Sequence, residues 1–195
     1  RGDKRMFVTP LFEPLAKAGI AWFSIDYRLA PQHKFPAAMN DVRAGVEYVR
    51  KHARELRVDP ERIGMIAESA GGYVGAYVAA RHGAELGLKT VVDFYGAADY
   101  VTRIVKLRGL TDTIRLFIGA EELSSLTVQK IADASPIKWV NKSMPPFLFI
   151  HGTEDDQVPY EQSTEMCAAM KSAGASCEIF AVEGGKHGMG SWDRA

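Results

Sequence analysis

No stretch of this chain approaches the run of about 20 apolar residues that a membrane-crossing helix needs. Neither charge is in excess: Lys+Arg and Asp+Glu each number 24, so no net field draws the protein to nucleic acid or to a membrane surface. Cysteine is scarce, with only Cys167 and Cys177, too few for a disulfide framework. Cys167 falls in an expected helix ending near Ser172, and Cys177 opens the next expected strand. The two could meet at similar height, but the favoured reading is a pair of buried free thiols acting as small hydrophobes. Internal repeats and low-complexity segments are lacking, and no histidine–carboxylate spacing suggests a metal site. The chain opens Arg1-Gly2-Asp3, without a methionine or an apolar leader, a start that reads as a cut.

What is present is enough for one substantial core: 195 residues, 47% of them hydrophobic, expected to form a single domain over 1–195. The segments alternate in type. Met6 to Ala18 reads as a helix despite Pro10 and Pro14, and Ala21–Tyr27 as a buried strand. From Pro36, the favoured first helical position for proline, Met39, Val42, Val46, Val49, Ala53 and Leu56 recur at threes and fours. Strands are expected at Arg62–Ala67, Thr90–Tyr95, Pro146–Ile150 and Cys177–Val182, with helices at Gly72–Arg81 and Tyr160–Ser172. Strands apolar on both faces, separated by amphipathic helices, predict an α/β fold with a mostly parallel sheet covered on both sides. In such sheets, reactive groups collect on loops at the carboxyl ends of the strands.

The segment 97–130 breaks the alternation and is long for a plain connection. It reads either as small helices capping a site, with Tyr100, Leu107, Leu116 and Phe117 towards substrate, or as a surface excursion with its own apolar cluster.

The stretch Ala67-Glu68-Ser69-Ala70-Gly71-Gly72 carries the most chemistry. A serine among small residues, at a sharp turn from strand into helix, has the pattern of a nucleophile elbow. Bulky neighbours would collide in the strained backbone that lifts such a hydroxyl clear, and the helix that follows presents free N–H groups to the same place. A serine hydroxyl needs a histidine to take its proton, and the resulting imidazolium needs a carboxylate. Two later strands run into candidates for both, in the order Ser, acid, His. One leads into His151-Gly152-Thr153-Glu154-Asp155-Asp156 and the other into Gly184-Gly185-Lys186-His187-Gly188. Of five histidines, His33, His52 and His82 read as solvated, and His151 as a structural residue bonding within the acidic turn. Among Glu154, Asp155 and Asp156, successive side chains point different ways, so one is expected to face His187; spacing alone leaves open which.

Three segments, Asp26-Tyr27-Arg28-Leu29-Ala30-Pro31, Glu68-Ser69-Ala70-Gly71-Gly72 and His151-Gly152-Thr153-x-Asp155 followed by Val158-Pro159, resemble the esterase branch of the α/β-hydrolases. The resemblance is to the hormone-sensitive-lipase-like esterases and the bacterial feruloyl and acetyl-xylan esterase-like family, and covers nearly the whole chain. It implies Ser69 as nucleophile, Asp155 as acid, His187 as base and the backbone N–H of Ala70 as one oxyanion donor. It implies a serine esterase that needs no cofactor and acts on a small-molecule or polysaccharide-linked ester, either short-chain acyl, acetyl-xylan or feruloyl. A prolyl-oligopeptidase-like peptidase and a non-catalytic hydrolase-like module are the alternatives. These families also carry a His-Gly-Gly-Gly loop that supplies further oxyanion donors, and no such string occurs here. That loop and its strand are expected upstream of residue 1, and a closing helix beyond residue 195. The fold is thus expected to be truncated, and the fragment alone poorly stable and weakly active.

Overall fold

In the computed structural model of the chain, residues 9–192 are described. Four strands form one parallel sheet in the order β1-β2-β3-β4: β1 Met65–Glu68, β2 Val91–Phe94, β3 Phe147–Gly152 and β4 Cys177–Val182. Register runs without a slip, Glu68 opposite Phe94, Phe94 opposite Ile150 and Ile150 opposite Phe180. All four carboxyl ends therefore open on one edge.

Helices cover the sheet. α1 spans Thr9–Lys17; the expected start at Met6 lies outside the described residues. α2, Ala37–Lys51, begins one residue later than expected because Pro36 sits outside the helical range as its N-cap, and it buries Ala38, Met39, Val42 and Val46. The one-turn α3, Ala53–Leu56, follows. α4, Ala70–His82, is the central helix, burying every residue from Gly72 to Ala80. A helix apolar all round has to be enclosed all round, and α4 lies between α2 and the strands β1 and β2. α8, Glu161–Ser172, packs on β3 and β4, with Met166 and Met170 fully buried.

The segment after β2 folds into three short helices, α5 Tyr100–Lys106, α6 Asp112–Ile118 and α7 Ser125–Ala134. They share a small core of Ile104, Ile114, Ile118, Ile131 and Ala134, against which Phe35, Tyr100 and Phe117 also pack. The same three aromatic residues border the main core, so the two clusters meet through them.

Two expectations are corrected. Residues 21–29 form no strand with any of the described residues. An extended segment becomes a strand only when its N–H and C=O groups ladder with a neighbour, and β1 pairs only with β2 among the described residues. Nor is the segment buried as expected: Trp22 and Phe23 are each more than 40% exposed. It is held instead by Arg28, whose side chain forms a two-pronged ion pair with Asp41 of α2, while its backbone N–H donates to the same carboxylate at 2.8 Å. Cys167 and Cys177, read as free thiols, form a disulfide with Cα atoms 5.6 Å apart. The turn after α8 sets β4 antiparallel to that helix and brings the two Cβ atoms level, a placement within bridging range.

This bridge closes a loop of only about ten residues, which limits its unfolded-state effect. Replacing both cysteines by serine should lower the unfolding free energy by about 2–3 kcal/mol, measured by urea titration of the intact protein. An unchanged midpoint would contradict a stabilising bridge.

Candidate active site

The site is built on the carboxyl edge of the sheet. Ser69 follows β1 and has φ +49° and ψ −117°, a backbone region that residues with a Cβ rarely occupy. Two bonds hold it there. Its N–H donates to the Phe94 carbonyl at 2.8 Å, extending the β1–β2 ladder one residue, and its carbonyl accepts from Tyr73 N–H at 3.0 Å, opening α4. The chain reverses direction at Ser69, leaving the hydroxyl free of the ladder. Ala70 N–H is the first of α4 and has no carbonyl one turn earlier to bond.

His187 lies on the loop after β4, and its Nε2 is 2.9 Å from Ser69 Oγ. Its Nδ1 is 2.7 Å from Asp155 Oδ2, on the loop after β3. An ionised carboxylate only accepts, so Nδ1 carries the proton and Nε2 offers its lone pair to the serine. The Asp155 side chain is fully buried and that of His187 is partly buried. Asp155 is oriented by its other oxygen, Oδ1, which accepts from the N–H groups of Gln157 and Val158 at 2.9 and 2.8 Å. The neighbouring acids point elsewhere: Glu154 pairs with Lys186 on the surface, and Asp156 is exposed. The structure thus brings Ser69, Asp155 and His187 into one line, with Ala70 beside them.

His151 lies beneath this line, fully buried. Its Nε2 donates to the Val158 carbonyl at 2.8 Å and lies 3.3 Å from Asp155 Oδ2, while Nδ1 accepts from the Ser163 hydroxyl at 2.7 Å. Burial pushes its pKa below the usual histidine value, which keeps it neutral as a buttress of the acid loop. The two loops can touch because Gly152 has no side chain; a Cβ there would lie 2.2 Å from the Gly185 carbonyl oxygen. The helical segment joins the same assembly. Arg103 of α5 donates to the Gln157 carbonyl at 3.0 Å, and Gln162 of α8 accepts from the N–H groups of Ala98 and Asp99. Tyr100 stacks on Tyr73 at 4.5 Å, and Phe117 meets both rings edge-on. Leu107 and Leu116, which would face substrate on the capping reading of this segment, are about half exposed, at 55% and 49%.

Two residues at this edge went unnoticed in the sequence. Tyr95, just past β2, has φ +46°, and its ring lies 4.8 Å from that of His187. Asp93 is a carboxylic acid inside an apolar strand, 2% exposed, a mismatch visible in Val-Val-Asp-Phe-Tyr. Its Oδ1 accepts from Gly96 N–H at 2.9 Å, and a Cβ at Gly72 or Gly96 would lie within 2.4 or 2.5 Å of it. Among the described residues, no group of three or more His, Cys, Asp or Glu could hold a metal ion. No described helix is long and apolar enough to cross a membrane.

The parallel sheet, the elbow and the order of the three side chains are those of an α/β-hydrolase. Residues 1–170 match the sequence profile of the BD-FAE family, and the chain belongs to that family. It is 28% identical to esterase LipC of Mycobacterium tuberculosis, over 93% of this chain and 48% of that protein. It is 27% identical to an acetylxylan esterase of Xylanibacter ruminicola, over 90% of this chain and 36% of that protein. Among solved structures, a truncated carbohydrate esterase from gut microbiota superposes with a TM-score of 0.82 at 29% identity, covering 92% of this chain and 71% of that one. The chain spans less than half the length of these curated relatives.

Asp93 gives a test of the buried edge. Burial raises its pKa to about 7, so the folded state keeps a proton that the unfolded chain sheds near pH 4 (about 3.9). Stability therefore falls as pH rises from about 4 to about 7 and levels off above. Asp93→Asn, which retains the acceptor for Gly96, should be more stable than the parent by about 2–4 kcal/mol at pH 8 and equal to it near pH 4. Thermal melts at the two pH values check this, and a gain independent of pH would contradict it.

Proposed function

We propose that the protein is a serine carboxylic-ester hydrolase acting through an acyl-enzyme on Ser69. The observation that carries this reading is the line Ser69 Oγ–His187 Nε2–Nδ1–Asp155 Oδ2, at 2.9 and 2.7 Å, with the serine held at positive φ. His187 takes the hydroxyl proton as Ser69 attacks the ester carbonyl, and Asp155 stabilises the imidazolium formed. The developing oxyanion is met by Ala70 N–H at the positive end of α4. His187 then gives its proton to the departing alkoxide, and water, activated by the same imidazole, releases the acid. The chemistry needs no metal or organic cofactor.

The substrate we infer is a small or polysaccharide-linked ester with a short acyl, acetyl-xylan or feruloyl group. Membership of the BD-FAE family and the names of the relatives, esterases that include an acetylxylan esterase, support this class. The helices α5–α7, which run from Tyr100 to Ala134, act as a small cap tied to the acid loop through Arg103.

The intact protein should hydrolyse p-nitrophenyl acetate and leave dipeptidyl amides untouched. Asp155→Asn should lower kcat by roughly 100- to 10,000-fold, while Asp156→Asn stays within about twofold, since an exposed neighbour lacks the contact to His187. Amide cleavage without ester cleavage would favour a peptidase, and equal losses in the two variants would sink the assignment of Asp155.

A further inference from the structure

Ser69 and Tyr95 are the next residues after the paired strand ends Glu68 and Phe94. Both have positive φ, +49° and +46°. The elbow explains the first. Nothing in the sheet requires the second, because Tyr95 still donates its N–H to the Ile150 carbonyl at 3.0 Å, as a continuing strand residue would. What its conformation does is swing the ring off the sheet and into the gap between the elbow and the loop carrying His187. The ring lies edge-on to His187 with centroids 4.8 Å apart, and Trp192 closes its far side at 5.4 Å. The hydroxyl donates to Glu68 Oε2 at 2.6 Å and accepts from Met189 N–H at 3.3 Å. One phenol thus bridges the residue before Ser69 and the residue two beyond His187.

We propose that Tyr95 and Glu68 act as a pair of positioning residues that hold the His187 loop in register with the Ser69 elbow. The inference rests on the reading of Ser69 as nucleophile and His187 as base. Those two residues are 118 positions apart, and a side-chain hydrogen bond joins their loops. His187 must stay within hydrogen-bond reach of Ser69 while rotating little, since its Nδ1 is fixed on Asp155. The Tyr95 ring limits the tilt of the imidazole from one side, and the hydroxyl bridge limits the loop's distance from the elbow. Strain of this kind persists only where surrounding contacts hold it, and the Glu68 carboxylate is the contact that anchors the hydroxyl. Burial and that carboxylate raise the Tyr95 pKa above the ordinary phenol value, so the hydroxyl remains a donor throughout the working range. Neither residue touches the reacting atoms, and each acts through its neighbour.

The test compares p-nitrophenyl acetate kinetics of the intact protein with those of Tyr95→Phe, Glu68→Leu, the double variant and Ser69→Ala. Tyr95→Phe keeps the ring and removes the bridge, so kcat should fall about tenfold with KM within about twofold, the mark of lost alignment rather than lost binding. Glu68→Leu, which leaves the Tyr95 hydroxyl without its acceptor, should lower kcat in the same way. The double variant should be no slower than the slower single one, because both remove the same bridge. An unchanged kcat in Tyr95→Phe, a rise in KM alone, or losses that multiply in the double variant would overturn the pairing. Glu68→Leu keeps the reading testable should Tyr95→Phe fold poorly. Ser69→Ala separates the two levels: retained activity there overturns the nucleophile itself, whereas its loss beside an unaffected Tyr95→Phe overturns only the positioning role.

Discussion

The backbone bond from Ser69 N–H to the Phe94 carbonyl is the constraint on which the site depends. It carries the β1–β2 ladder one residue beyond the strands, so Ser69 is held by the sheet while its dihedrals already belong to a turn. Such a conformation in a residue with a Cβ costs of order 1–3 kcal/mol, and it persists because the sheet on one side and α4 on the other leave the chain no alternative path. Parallel register then places the ends of β3 and β4 on the same edge, where their loops deliver Asp155 and His187. Fold and site are therefore one arrangement. A slip of one residue in any ladder would separate groups that now meet at 2.9 and 2.7 Å.

Much of this was legible in the sequence because the relevant signals are local. Small residues around Ser69, glycines around His187 and an acidic turn straight after an apolar strand each mark a loop at a strand end. The α/β class followed from alternating periodicities, and the start of the long amphipathic α2 was readable to within a residue, although the expected run to Leu56 divides at His52 into α2 and α3. Choosing among Glu154, Asp155 and Asp156 was different. Spacing cannot show which carboxylate turns inward, whereas the backbone does so by engaging Asp155 Oδ1 with the N–H groups of Gln157 and Val158.

What escaped the sequence depends on contacts between distant segments. Ala21–Tyr27 is composed like a strand, but pairing requires a neighbour, and composition does not report one. The Cys167–Cys177 bridge depends on how the turn after α8 aligns helix and strand, which two isolated cysteines do not announce. Tyr95 looked like one more aromatic strand residue; its positive φ and its contacts to Glu68, His187 and Met189 exist only once three loops have met. Asp93 was the one visible anomaly, an acid in an apolar strand, and it occupies the space left by Gly72 and Gly96 beneath the elbow.

The central claim is that Ser69 is a nucleophile activated by His187. Covalent labelling of the intact protein with a fluorophosphonate, followed by peptide mapping, tests it most directly. The account predicts a single phosphonate adduct on Ser69, lost in His187→Ala because an unassisted serine hydroxyl reacts too slowly to be labelled. An adduct on another serine, or labelling of Ser69 that persists without His187, would contradict it.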